Sequence, residues 1–142
     1  MDKHSYQVAL NWKAGRQGII SSDVLTTKID VATPPEFDKG VPGIWSPEHL
    51  FTAAVLSCFM TTFLAIAEYS KLDFENFDCN AEGILDKVDG KFLMTEINLN
   101  ATLKINDISK AERAERILHK SEENCLISNS IKTKVNLTCK IS

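Results

Sequence analysis

Closely spaced cysteines are missing from this chain. Its four, Cys58, Cys79, Cys125 and Cys139, are far apart and form no CxxC pair. Met1–Leu10 lacks the apolar run of a signal peptide, so secretion is not expected and a cytoplasmic setting is. Structural disulfides are then not expected either, and a disulfide here would be transient and chemical. No basic surplus exists: the net charge is −3, which gives no electrostatic case for nucleic acid or an anionic membrane. Internal repeats, low-complexity tracts and domain-splitting linkers are absent, so residues 1–142 are expected to form one domain. With 44% hydrophobic and 25% charged residues, disordered and collagen-like classes are excluded.

Charge is also absent from Leu50 to Ala67, eighteen residues inside Ser46–Tyr69. This stretch opens like a helix: Ser46 can cap it, Pro47 suits the first position, and Glu48 sets a negative charge at the positive end of the dipole. Leu56, Phe59, Met60, Phe63 and Ala67 fall on one face of the helical wheel. Phe51, Val55, Cys58, Thr62, Ala65 and Tyr69 fall on the other. The length just meets that of a membrane span. Against a span stand Thr52, Ser57, Thr61 and Thr62 inside it and the lack of a flanking Lys/Arg cluster. A core helix covered on all sides is the expectation, with no membrane partner.

Around it, residues 4–13 alternate (Tyr6, Val8, Leu10, Trp12) as a half-buried strand would. Ala14–Gly18 reads as a turn, Ile19–Val31 as a second extended segment, and Thr33–Gly43 as a loop rich in Pro and Gly. Residues 77–88 and 91–105 form a hairpin pattern about Asp89-Gly90. Ser109-Lys110-Ala111-Glu112 has the form of a capping box for a helix whose inward stripe is Ala111, Ala114, Ile117, Leu118 and Ser121. After a short turn at Cys125–Ser130, Val135, Leu137, Cys139 and Ile141 alternate as a last strand. The pattern is α+β: antiparallel sheets around a long central buried helix. A chain this short can hardly cover both faces of that helix, so a homodimer is expected.

Cys58, mid-helix, is in bland terms a small buried hydrophobe. A reactive role needs its thiolate, and it lies three turns past the helix start, beyond reach of the dipole. Lowering a thiol from about 8.5 to about 6 takes roughly 3 kcal/mol. One guanidinium at about 4 Å supplies about 4 kcal/mol at an effective dielectric near 20, so an arginine, an imidazolium or a metal is called for. Only Arg16, in a glycine-flanked turn, and Arg113 and Arg116, on the second helix, are available. Taken bare, Arg16 is a solvated turn residue and Glu48 a helix-start charge. Cys125 is either a packed helix-end residue or a resolving thiol that attacks an oxidised Cys58. Cys79 and Cys139 lie in strand patterns and read as core. A metal on Cys58, Cys125 and His49 or His119 is disfavoured, because His49 and Cys58 lie about 180° apart around the helix.

With these residues in hand, the sequence resembles the OsmC/Ohr family of organic hydroperoxide reductases and their relatives over most of its length. Gly15-Arg16-Gln17-Gly18 with Ser21-Ser22-Asp23 is similar to the family's arginine turn. Ser46-Pro47-Glu48-His49-Leu50-Phe51 resembles its Pro-Glu-x-Leu helix start. Ser57-Cys58-Phe59, ten residues after Glu48, resembles the peroxidatic Cys-Phe motif, and Cys125-Leu126-Ile127-Ser128-Asn129 the Cys-Pro-x-Ser-Asn segment around the resolving cysteine. It is the order and spacing of these motifs together that is specific.

The resemblance implies an intertwined homodimer with two interface sites and a thiol-dependent peroxidase acting on organic or fatty-acid hydroperoxides as part of a stress response. Cys58 would be peroxidatic and Cys125 resolving. Arg16 would hold the thiolate, and Glu48 would orient Arg16. A dithiol, lipoyl-type in some members, would reduce the transient disulfide, with no metal or organic cofactor. Two departures stand out: Leu126 replaces a frequent proline, and Ile44-Trp45 replace smaller residues before the helix. Both point toward a generic OsmC-like branch. The alternative is a non-catalytic module of the same fold that binds a hydrophobic ligand in its cleft.

Overall fold

The computed structural model describes all residues, 1–142, and they fall in two compact units, Met1–Leu50 and Phe51–Ser142. The first unit is an antiparallel sheet in the order β1 (Ala9–Ala14), β2 (Gln17–Ser21), β3 (Ile29–Ala32). The turn between β1 and β2 carries Gly15 at φ +53°, a backbone state that glycine adopts without a Cβ clash. The first strand starts at Ala9, later than its alternation suggests. It is not half-buried: Leu10 and Trp12 are 65% and 76% exposed, because no element of the first unit packs over them. The single extended segment expected from Ile19 to Val31 is broken at Ser22–Leu25, where the Leu25 N–H donates to the Ser22 carbonyl at 3.1 Å.

The loop at 33–43 forms as expected, closed by the Val41 N–H donating to the Thr33 carbonyl at 2.9 Å. Trp45 then pairs with β3, its carbonyl accepting from the Ala32 N–H at 2.9 Å. That contact delivers Ser46 to the head of α1 (Pro47–Tyr69). Ser46 caps as its sequence position suggests: its Oγ accepts from the His49 N–H at 3.1 Å.

In the second unit, Val55, Phe59, Phe63 and Ala67 of α1 are buried, spaced by four. Val55 takes the place expected for Met60, which is 41% exposed, as is Leu64 at 40%. The all-round cover expected for an uncharged helix is therefore not supplied by the chain itself. Beneath the buried stripe lies a sheet in the order β4 (Phe74–Val88), β5 (Lys91–Ile105), β6 (Lys134–Ile141). The β4–β5 hairpin turns at Asp89 (φ 50°) and Gly90 (φ 79°), the two positive φ values of a type I′ turn. β6 runs parallel to β5, so this sheet is mixed where antiparallel pairing was expected.

Every second residue of β5 (Ile97, Leu99, Ala101, Leu103, Ile105) is buried. Register places Phe77, Cys79, Ala81 and Gly83 of β4 and Val135, Leu137, Cys139 and Ile141 of β6 on the same face. Phe63 stacks on Phe77 at 4.6 Å between centroids and meets Phe74 at 5.4 Å. At Gly83 the helix comes so close that a Cβ would lie 2.2 Å from Thr52 Oγ1.

The helix α2 (Ala111–Glu123) buries Ala114, Ile117, Leu118 and Ser121, as its spacing predicts. Its expected capping box does not form. Asp107, a charged acceptor two residues before Ser109, takes both the Ser109 N–H (3.1 Å) and its hydroxyl (2.7 Å), drawing 108–110 into a 3₁₀ turn. Arg113 donates to the Ser70 carbonyl just past the end of α1, tying the two helices.

Candidate active site

Cys58 sits about three turns past the start of α1, one residue before the buried anchor Phe59, so its sulfur lies at the edge of the packed stripe. It is partly exposed. Thr62, one turn on, places its Oγ1 3.9 Å from the sulfur. Opposite lies the turn that follows α2. Asn124 closes α2 with its N–H on the Lys120 carbonyl at 3.0 Å, and the chain then folds through Cys125–Ser130. This turn brings Cys125, fully buried, against Cys58. Both thiols are free.

The two sulfurs are electrostatically unlike. Burial pushes the Cys58 thiol up. The Ile127 N–H, the Cys125 S–H, the Thr62 hydroxyl and the Leu126 N–H all donate to it, and they bring it below the ordinary thiol value. Cys125 is pushed up by burial and by the neighbouring Cys58 sulfur, against the pull of the Ser128 hydroxyl and N–H. Ser128 Oγ is buried and has no nitrogen or oxygen partner. Cys79 and Cys139, read as core from the sequence, are half-buried at its edge, packed against it, and burial pushes each up to about 11.

Of the four site residues the sequence suggests, the fold thus brings Cys58 and Cys125 together in the second unit. Arg16 and Glu48 belong to the first. Arg16 stands at the tip of the β1–β2 turn and lines an open cleft of about 310 Å³ with Trp12, Val31, Thr33 and Pro47. Glu48 lies in the first turn of α1 with Oε2 buried. His49, weighed as a metal ligand, is held in the cap: its Nδ1 is 2.7 Å from Ser46 Oγ and its ring meets Trp45 edge-on.

The donors missed in the sequence are the Leu126 and Ile127 amides. Backbone N–H groups carry no residue signature, and only the fold of the turn aims them. The downward direction at Cys58 arises from these hydrogen-bond donors, with no cation among its causes.

A long helix laid on a mixed sheet, with a second, antiparallel sheet in the chain, is the α+β arrangement of the OsmC-like fold. The chain belongs to the OsmC/Ohr family: residues 40–140 match the model described as OsmC-like protein. Across its whole length it is 29% identical to the uncharacterized protein YmaD of Bacillus subtilis, covering 96% of that protein. It is 28% identical over 102 residues to the peroxiredoxin OsmC of Escherichia coli, which spans 72% of this chain and 68% of that one. Among solved structures, an OsmC-like protein of unknown function from Vibrio cholerae superposes with a TM-score of 0.87 at 28% identity, over 96% of this chain and 99% of that one. An organic hydroperoxide resistance protein OsmC from Legionella pneumophila gives 0.74 at 25% identity, over 100% and 99%.

Proposed function

We propose that this protein is a cysteine-based peroxidase that reduces organic or fatty-acid hydroperoxides. One observation carries the reading. The fold brings a half-exposed thiol on a helix, Cys58, against a fully buried one, Cys125, and the first is shifted toward its thiolate while the second is raised. Membership of the OsmC/Ohr family and the likeness to the E. coli peroxiredoxin support it.

The Cys58 thiolate attacks the terminal oxygen of R–O–OH. An S–O bond forms and the O–O bond breaks. The sulfur is left as sulfenic acid, and RO⁻ takes up a proton to leave as the alcohol. Cys125 then attacks the sulfenic sulfur. The S–S bond forms, and the hydroxyl leaves as water with the Cys125 proton. A dithiol reductant, lipoyl-type as in some members, attacks the disulfide and restores both thiols, itself becoming a disulfide. Arg16 is assigned to charge stabilisation of thiolate and departing alkoxide, and Glu48 to its orientation. The protein works in a reducing compartment, the cytoplasm, as a homodimer. The uncharged helix with Met60 and Leu64 exposed supports that assembly.

The test is consumption of t-butyl hydroperoxide with added dithiol, with a Cys58–Cys125 disulfide seen by mass spectrometry after peroxide alone. Full turnover by Cys58→Ser removes the reading. A thiol inert to peroxide, with a hydrophobic ligand co-purifying, moves the chain to the non-catalytic binding module.

A further inference from the structure

Trp12 is 76% exposed, so burial does not explain an indole at that place. Its one polar atom is committed: Nε1–H donates to the Gly15 carbonyl at 3.0 Å, across the β1–β2 turn. The strand is bulged beside it. Pairing passes from Trp12 with Gly18 directly to Ala14 with Gln17, leaving Lys13 unpaired, and a bulge of this kind bends the strand and re-aims the neighbouring side chain. The Gly15 carbonyl belongs to the peptide that precedes Arg16. The Arg16 carbonyl, in the peptide that follows, accepts from the Thr33 N–H at 3.2 Å. Both peptides that meet at the Arg16 Cα are therefore held, and with them the two soft dihedrals of that residue. The two holds differ in kind. Thr33 gives a main-chain bond that any residue with an N–H could supply, whereas the bond to Gly15 needs the indole. Gly15, at φ +53°, has the backbone freedom of glycine, and the indole bond is what restrains it next to the arginine. Trp12 and Arg16 also line the same cleft of about 310 Å³.

We propose that Trp12 is the positioning residue of the arginine turn: its indole N–H fixes the peptide before Arg16, and thereby the point and direction from which the guanidinium leaves the backbone. Trp12 acts through Arg16 and not on the reacting atoms. For catalysis the inference rests on the peroxidase reading, in which Arg16 stabilises the thiolate and the departing alkoxide. Groups that stabilise developing charge act at fixed geometry, and a misplacement of about 1 Å can cost up to about 10²-fold in rate. A looser turn therefore weakens Arg16 without removing its charge.

The test uses the full-length protein and two replacements. Trp12→Phe removes the N–H and shrinks the ring, whereas Trp12→benzothienylalanine keeps the double ring and removes only the N–H. Hydrogen exchange of the Thr33 amide, read by NMR without peroxide, reports the hold on Arg16. It is expected to quicken by about three- to tenfold in both variants, with the amides of β5 unchanged. The kcat/KM for t-butyl hydroperoxide is expected to fall by about three- to tenfold in both, with no further fall where Arg16 is already alanine. Parent-like Thr33 exchange in Trp12→benzothienylalanine overturns the proposal, since the ring and not its N–H would then hold the turn. So does an equal kinetic loss in the Arg16→Ala background, because Trp12 would then act through another group. A parent protein inert to peroxide removes the peroxidase reading instead, and the exchange measurement still decides whether Trp12 holds the turn.

Discussion

Cys125 donates its S–H to Cys58, and that one contact moves the two thiols in opposite directions. Donation lowers Cys58, while the partner sulfur adds to the burial that already raises Cys125. The more accessible member is the one shifted toward its thiolate. Asymmetry of this kind suits a two-step redox cycle. The first sulfur must be nucleophilic before oxidation and the second only after it.

Removing the donor therefore has a defined consequence. In Cys125→Ala the Cys58 thiol is expected to titrate higher than in the parent, because a donor to its thiolate is gone. The variant should consume about one equivalent of hydroperoxide and then stop, with a sulfenic acid that dimedone traps. Alkylation profiles and intact-mass spectra check both. A Cys125→Ala protein that keeps full multiple turnover would show that the resolving role is misassigned.

Ionisation and transition-state stabilisation separate at Arg16. The donors to Cys58 named above all lie in the second unit, and they remain in Arg16→Ala. Its Cys58 should thus still titrate below an ordinary thiol, while kcat/KM for t-butyl hydroperoxide falls by about 10²-fold or more through loss of charge stabilisation. Glu48→Gln, acting through Arg16, should lose less, about tenfold. Parent-like turnover in Arg16→Ala would leave the arginine as a turn residue only.

The outer face of α1 invites a second copy of the chain. Met60 and Leu64, 41% and 40% exposed, lie one turn apart on a helix that bears no charge from residue 50 to residue 67. Met60→Glu combined with Leu64→Glu is expected to convert a dimer into a monomer in sedimentation velocity at micromolar concentration, through like-charge repulsion and desolvation of both carboxylates. A monomeric parent protein would remove the homodimer from the proposal.

In the core, Phe63 is the residue whose loss should be felt most. It is fully buried and contacts both Phe74 and Phe77. Phe63→Ala is expected to destabilise by about 3–5 kcal/mol, read from urea unfolding. Leu126→Ala, on an exposed side chain, should stay within about 0.5 kcal/mol.

Much of this was legible before any coordinates. The i, i+4 anchors Phe59, Phe63 and Ala67, the Asp89-Gly90 turn and the alternation of Ile97 to Ile105 each state their structure in residue types whose physics is local. Cys58 and Cys125 as a pair came from a resemblance, and no local rule joins residues 67 positions apart. Three features were hidden for identifiable reasons. Asp107 outcompetes Glu112 for Ser109 because a capping pattern does not reveal rival acceptors nearby. Val55, about 40° from Phe59 on the wheel, replaces Met60, about 100° from it, because the sheet beneath selects the narrow i, i+4 stripe. The amides of 126 and 127 cannot be read from side chains at all.

The remaining two cysteines supply a pH signature. Cys79 and Cys139 flank Ala101 in one row of the second sheet, and both are pushed up to about 11 by burial. Glu115 and Cys79 add repulsion at Cys139, while the Asn100 N–H offsets part of the burial at Cys79. In the unfolded chain a thiol titrates at about 8.5. Below that value both states hold the protons, and stability does not depend on these groups. From about pH 8.5 to about 11 the unfolded chain has released protons that the folded chain still holds, so the unfolded state binds fewer and stability falls as pH rises. Lysines and tyrosines titrate in the same range, so the informative quantity is a difference between proteins. Under reducing conditions the urea midpoint of the parent should drop more between pH 8 and pH 10.5 than that of the Cys79→Ala, Cys139→Ala double variant. The variant should start lower at pH 8 because of the volume removed from the core. Parallel pH curves for the two proteins would mean that both thiols ionise freely in the folded state, contrary to their half-buried place against the core.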